Sequence, residues 1–364
     1  MFSEEDLQSA VAAGVMDAGT AQAFRDHVSA RPAIPAMADE ENIRLVTGFN
    51  DIFVTIACLL VIFSGVYVGG GDRLWIGGLV VAVVSWLMAE IFTRKRRMAL
   101  PSIVVLVAFV GGLGMFVSGL AMLALPEHPV TESYTYQGHV NSWTHYERWP
   151  WQISLIAAAG AVASMIGAIA HWKRFRVPIT VAAGTAALAL LLLALLAWAT
   201  GLELKTNPVL APAALVCGIA VFAFAMRWDL SDRTRVTQRA DIAFWLHLLA
   251  APLIAHPLFY WLHVLDYTNL STLNAVGVLT IYALFALIAL IVDRRALLVS
   301  ALLYVLVALN SVLQHLHGIE MNLAISTLAI GCTLLALSIL WAPLRRIVLK
   351  PLPASWRDRL PPAG

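Results

Sequence analysis

Charge is what this sequence has least of. Only 13% of its 364 residues are Asp, Glu, Lys or Arg, while 60% are apolar. An ordinary globular domain carries about 25% charged residues. So few charges cannot clothe a water-exposed surface. A soluble enzyme, a disordered chain and a nucleic-acid-binding domain are thereby excluded, and no nucleic acid is expected among the partners. Cysteine is scarce as well. Cys58, Cys217 and Cys332 each sit inside a long apolar run with no CxxC pair, which excludes a disulfide framework or a zinc site and leaves packing as their role. The opening MFSEEDLQSA is acidic and lacks the basic-then-apolar order of a cleaved signal peptide, so the first apolar run is expected to act as the membrane signal. HExxH, GxSxG, DxD and P-loop patterns are all missing, and no catalytic residue and no cofactor is predicted.

What the chain does have is long apolar runs. Ten of them lie near 51–70, 74–92, 100–125, 151–171, 178–200, 209–227, 242–264, 273–292, 296–313 and 321–341. About 20 apolar residues cross a bilayer as a helix, which pairs every backbone group within one segment. The short alternating strands of a membrane barrel do not occur. The expected fold is therefore all-α: a polytopic membrane helix bundle of about ten transmembrane helices.

Lys and Arg set its orientation. Of 24 basic residues, 21 fall on the connectors that share a side with the N-terminus, and only Arg73, Arg148 and Lys205 fall on the other. By the positive-inside rule both termini are expected to be cytoplasmic. The expected organisation is a cytoplasmic helical hairpin over 1–38, a polar lead-in over 39–50, a transmembrane bundle over 51–341 and a basic cytoplasmic tail over 342–364. In the hairpin, Asp17 is placed to cap a second helix with Ala21, Phe24 and Val28 on one face, after a stop at Gly14. The hairpin is a possible dock for a protein partner. In the tail, Arg345, Arg346, Lys350, Arg357 and Arg359 are expected on an anionic leaflet, each contributing about 1 kcal/mol.

The outside segment 126–150 carries Tyr134, Tyr136, Trp143, Tyr146 and Trp149, with Trp151 directly after it. It reads either as a short β-hairpin turning at Gln137-Gly138 or as an interfacial aromatic belt. Inside, the mixed-sign stretch 227–241 reads as a solvated linker, and Asp293, Arg294 and Arg295 as the only break between two runs.

The stretch LQSAVAAGVMDAGTAQAFRDHV, with Ala13, Gly14, Val15, Met16, Asp17 and Ala21 at its centre, resembles the start of the DUF2157-type predicted bacterial membrane proteins. The resemblance covers about the first 30 residues and the general architecture. It implies a bacterial inner-membrane setting and carries no activity or site residue. A faint internal echo, Asp51-Ile52 and Asp241-Ile242, opens two runs from the same side.

The densest polar feature inside the membrane is the run 242–264, with His247, Pro252, His256, Pro257, Tyr260 and His263, followed by Asp266. Seven residues apart, His256 and His263 share a helix face within about 20°, with Tyr260 on its flank and His247 on the opposite side. Prolines kink helices, and ionisable groups within a kinked span mark a functional site. His256, Tyr260, His247 and Asn310 are the candidate substrate- or proton-binding residues; the alternative is histidines bridging helices. On the outer side, His263, Asp266, His315, His317 and Glu320 form a candidate metal set, equally suited to pH sensing or to ordinary interfacial roles. Glu90 is expected to pair with Arg94. Gly65 and Gly69, and Gly111, Gly112 and Gly114, are expected to pack helices closely.

Three functions follow as expectations. One is a small-molecule or proton-linked transporter working through the kinked helix. Another is a scaffold or regulatory protein docked through the N-terminal hairpin. The third is a membrane enzyme using the outer histidines.

Overall fold

The computed structural model describes residues 10–30, 49–68, 73–136, 139–201, 210–233, 235, 237–262, 272–299, 302, 305, 306, 309, 322–357 and 360. Its helices are α1 (Ala18–Ala30), α2 (Phe49–Tyr67), α3 (Leu74–Met88, continued by a π-helical Ala89–Lys95), α4 (Ala99–Ala124), α5 (Pro150–Phe175), α6 (Ile179–Thr200), α7 (Leu210–Ser231), α8 (Gln238–Trp261), α9 (Thr272–Val292), α10 (Ala296–Val299), α11 (Asn322–Ile339), α12 (Trp341–Leu349) and α13 (Ala354–Arg357). Between α4 and α5 stand two strands, β1 (His128–Tyr136) and β2 (His139–Glu147).

Among the described residues, seven helices are long and apolar enough to cross a membrane: α2, α3 with its π-helical end, and α4 to α8. The chain is a helical membrane protein, and large apolar side chains such as Phe49, Phe53, Ile166 and Val216 stand exposed along these helices. A soluble surface does not tolerate such contiguous patches; lipid covers them. The ten-run expectation is met less fully beyond α8. The apolar stretch of α9 is short at Val276–Val292, most of 296–313 lies outside the described residues, and α11 and α12 meet at a 70° bend.

Sequential helices pack as neighbours, α3 on α4, α5 on α6 and α7 on α8. Half of the apolar stretch of α8 is buried, against 22% for α2, so α8 is the most enclosed span. Its Ala243, Ala250, Ala251 and Ala255 are wholly or almost wholly buried, small residues that let adjacent helices approach. Of the expected close-packing glycines, Gly112 and Gly114 stand at the α3–α4 and α4–α5 crossings and Gly65 packs on Val81, whereas Gly111 meets nothing within 4 Å and Gly69 lies outside the described residues. A Cβ on Gly112 would lie 2.8 Å from the Ala82 amide, and one on Gly114 would run into the Ser164 hydroxyl.

The segment 126–150 is a hairpin, with antiparallel pairing from His128↔Glu147 to Tyr136↔His139. Both faces are largely exposed, and a lone hairpin is marginally stable. Its base is tied down. The Arg148 guanidinium donates to Leu125 O (3.1 Å) and Glu127 (2.5 Å), the Gln152 amide donates to Pro126 O (3.2 Å), and His128 stacks on Trp149 at 3.8 Å.

Among the described residues, four other than glycine adopt positive φ: Arg97, Arg176, Arg235 and Asp293, at 53–61°. Glycine is the usual occupant of that conformation, and another residue costs about 1–3 kcal/mol there. Each stands in a connector at the basic end of the bundle.

At α1, the Thr20 amide donates to Asp17 Oδ1 at 2.5 Å. This bond holds the Asp17 carboxyl below its ordinary value. A depressed folded-state pKa means the cap is fully effective at neutral pH and is lost as pH falls through the carboxylate range. Acidification is expected to fray the first turn of α1, read as faster amide exchange there, with Asp17→Asn insensitive to the same change.

Candidate functional site

Charges from the last turn of α7, from two connectors and from α12 fold inward, with His247 of α8, to make a buried ionic cluster. Helix α7 ends at Ser231, and Asp232 then accepts from the Thr237 amide (2.9 Å) and hydroxyl (2.6 Å). Thr237 in turn caps α8 by accepting from the Arg239 amide. At the far end of α9, Asp293 takes the left-handed conformation, and the Arg294 amide closes back onto Ala289 O at 2.9 Å. The bend between α11 and α12 brings Trp341 and Arg345, four residues apart on one face, under this connector.

The resulting network has two halves. Asp229 accepts from both Nε (3.1 Å) and Nη2 of Arg294 and from His247 Nε2 (2.9 Å), and Arg294 also donates to Ala240 O at 3.1 Å. Asp293 accepts from Arg235 Nη1 (2.9 Å) and Trp341 Nε1 (2.8 Å), with Arg345 Nε 3.7 Å away. Arg235 also donates to the carbonyls of Val292 and Asp293, and Arg345 to that of Leu290. Asp229, Asp293, Arg294, Arg345 and His247 are at most 3% exposed. Charges taken out of water cost several kcal/mol each unless paired and hydrogen-bonded, and here each carboxylate meets at least two donors.

His247 completes the first half. Its Nε2 is bonded to Asp229, its ring meets Phe222 edge-on at 5.2 Å, and its Nδ1 is buried with no hydrogen-bond partner. This assigns the neutral tautomer that carries hydrogen on Nε2. A proton added at Nδ1 would find no acceptor in this arrangement.

Several expectations are corrected here. The stretch 227–241 is not a solvated linker: Asp229, Asp232 and Arg235 are buried in it. The break at Asp293 and Arg294 is interior, and only Arg295 of the three is exposed, where its guanidinium lies over Trp341. Arg345 does not face a leaflet but is 1% exposed within the bundle, because its guanidinium is used by Leu290 O and Asp293. Of the candidate binding set, His247 is buried in the cluster. His256 and Tyr260 lie exposed on α8, the side opposite His247, as their spacing requires. Asn310 and the metal set His263, Asp266, His315, His317 and Glu320 fall outside the described residues. Among the described residues no group of three His, Cys, Asp or Glu side chains is arranged to hold a metal ion. Glu90 pairs with Arg94 at 3.2 Å as expected, and also with both Nε and Nη2 of Arg174 at 2.7 and 3.1 Å.

Among the described residues, two of the clefts are large. One of about 610 Å³ opens at the basic end between the α3–α4 and α5–α6 turns and the start of α8. The other, about 1140 Å³, lies beneath the hairpin against Met122, Tyr146, Trp149 and Ile153. Neither is lined by His247, His256 or Tyr260.

Fold and cluster together define a polytopic helical membrane protein with a buried ionic cluster at its basic end. No family model matches the chain, nor does any curated protein or solved structure. The site is therefore read from its own chemistry.

Proposed function

We propose that this is a bacterial inner-membrane protein with both termini cytoplasmic, moving protons or a proton-coupled small solute, with Asp229, His247 and Arg294 as its inner gate. The observation that carries the reading is His247. It sits on the most enclosed helix, which also contains Pro252 and Pro257, and it is bonded to a carboxylate–guanidinium pair drawn from the last turn of α7 and the connector after α9. Histidine is the side chain that ordinarily changes charge near neutral pH. Taking up a proton at Nδ1 has no acceptor in the closed arrangement, so protonation and movement of α8 are coupled. Pro252 and Pro257 remove backbone donors along that helix and give it places to bend. His256, Tyr260 and Asn310 are the proposed solute contacts further out. The bilayer surrounds the bundle, and Arg346, Lys350 and Arg357 remain exposed to engage an anionic leaflet.

The test is proton flux into vesicles containing a trapped pH-sensitive dye. Vesicles carrying the protein are expected to dissipate a pH gradient faster than empty ones, and His247→Gln is expected to lower that rate at least tenfold. His256→Ala reports on the outer half of the path. Flux indistinguishable from empty vesicles would overturn the reading.

A second reading, a non-catalytic scaffold whose N-terminal hairpin docks a partner, is favoured by the burial and charge pairing of the cluster and by clefts that avoid His247 and His256. It predicts that empty-vesicle result. The enzyme expectation falls on the outer histidines, outside the described residues.

A further inference from the structure

Two of the four strained connector residues are explained by the buried cluster. Arg235 and Asp293 bond to each other. The other two, Arg97 and Arg176, make no side-chain hydrogen bond or ion pair among the described residues, and both line the cleft of about 610 Å³ at the basic end. The two turns are built alike. In each a helix ends, an arginine takes positive φ, and the next helix starts within three residues, at Ala99 after Arg97 and at Ile179 after Arg176. Glycine would fit both positions without strain. Arginine there costs the backbone about 1–3 kcal/mol and its guanidinium engages no group among the described residues, which points to a ligand.

The rest of the cleft says which ligand. Arg94 and Arg174 also line it, already neutralised in part by Glu90, and Asp241 stands at its wall. Two guanidinium groups are left over. The Thr93 hydroxyl, on the π-helical end of α3, is buried with no hydrogen-bond partner. π-Helical turns are rare and frequently mark functional sites. Met98, Ile103, Val177 and Trp245 supply an apolar floor. Planar guanidinium forks match phosphate oxygens two at a time, and an orphan hydroxyl adds a donor.

We propose that this cleft is a phosphate-binding site, with Arg97 and Arg176 as its principal ligands. The inference stands apart from the transport reading, since it needs no solute to cross. The phosphate can belong to an anionic phospholipid, whose chains would meet the apolar floor, or to a soluble phosphate.

The test uses the full-length protein in detergent, titrated separately with short-chain phosphatidylglycerol and with inorganic phosphate, bound species being counted by native mass spectrometry. The variant is Arg97→Gly with Arg176→Gly, which relieves the backbone at both positions and so is expected to melt no lower than the parent. The control is Lys95→Gln with Arg96→Gln, which removes the same charge from exposed positions that do not line the cleft. Affinity is expected to fall about tenfold for each cleft arginine removed, the size of one charge-assisted hydrogen bond, and to stay within twofold in the control. Loss seen with phosphatidylglycerol alone assigns the site to lipid; loss seen with inorganic phosphate as well assigns it to a phosphate group of either origin. Failure of both probes to bind the parent, or equal losses in variant and control, would overturn the proposal.

Discussion

Asp229→Ala is expected to lower the stability of the bundle by about 3–5 kcal/mol, the range for stripping one partner from a buried ion pair. The carboxylate accepts two bonds from Arg294 and one from His247, and its loss takes from a guanidinium that is 1% exposed the carboxylate it is bonded to. The cost comes from the stranded cation and not from the missing bonds alone. The double variant Asp229→Leu with Arg294→Met removes both charges and fills the space with apolar atoms, and it is expected to recover most of the loss. Denaturant unfolding of the reconstituted protein checks this. A single variant that costs under 1 kcal/mol would mean the pair is solvated, and additive losses in the double variant would mean the two residues are not coupled.

The second large effect is at the α3–α4 crossing, where two adjacent glycines should behave in opposite ways. A Cβ on Gly112 would sit 2.8 Å from the Ala82 amide and 3.0 Å from Gly78 O, both backbone atoms that cannot turn aside. One on Gly78 would meet Gly112 O at 2.8 Å. Gly112→Val and Gly78→Leu must push the helices apart, with an expected loss of about 3 kcal/mol or more, at the upper end of overpacking. Gly111 has nothing within 4 Å of the same probe position. Gly111→Ala is therefore expected to be neutral or to stabilise by up to about 1 kcal/mol through helix propensity. Melting midpoints of the three variants decide it, and a destabilised Gly111→Ala would show that the crossing is misassigned.

These glycines show how far the sequence could be read. It marked 111, 112 and 114 as a packing cluster, yet in a helix that is apolar all round no polar stripe says which side faces protein and which faces lipid. The membrane class, the long spans from 49 to 261 and the Glu90–Arg94 pair were legible from hydrophobic length and helix spacing. The ionic cluster was not. Depth along a span places a charge near an end, but partners such as Arg235 and Asp293 are brought together by tertiary folding alone. A signal existed in hindsight. The turns rich in one sign, 94–97 and 173–176, have exposed basic side chains, whereas in the turns that mix signs, 229–235 and 293–295, five of the seven charged residues are buried. A connector that carries its own counter-charges, or matches those of another, can leave water.

Asp293 and Arg294 are joined by one peptide bond, yet they serve opposite halves of the network. The first is gripped by Trp341 and Arg345 of α12 and the second holds the aspartate that binds His247. The two grips form a mechanical linkage with a single pivot. Prising α12 away would loosen the histidine through a rigid link, without anything entering the bilayer.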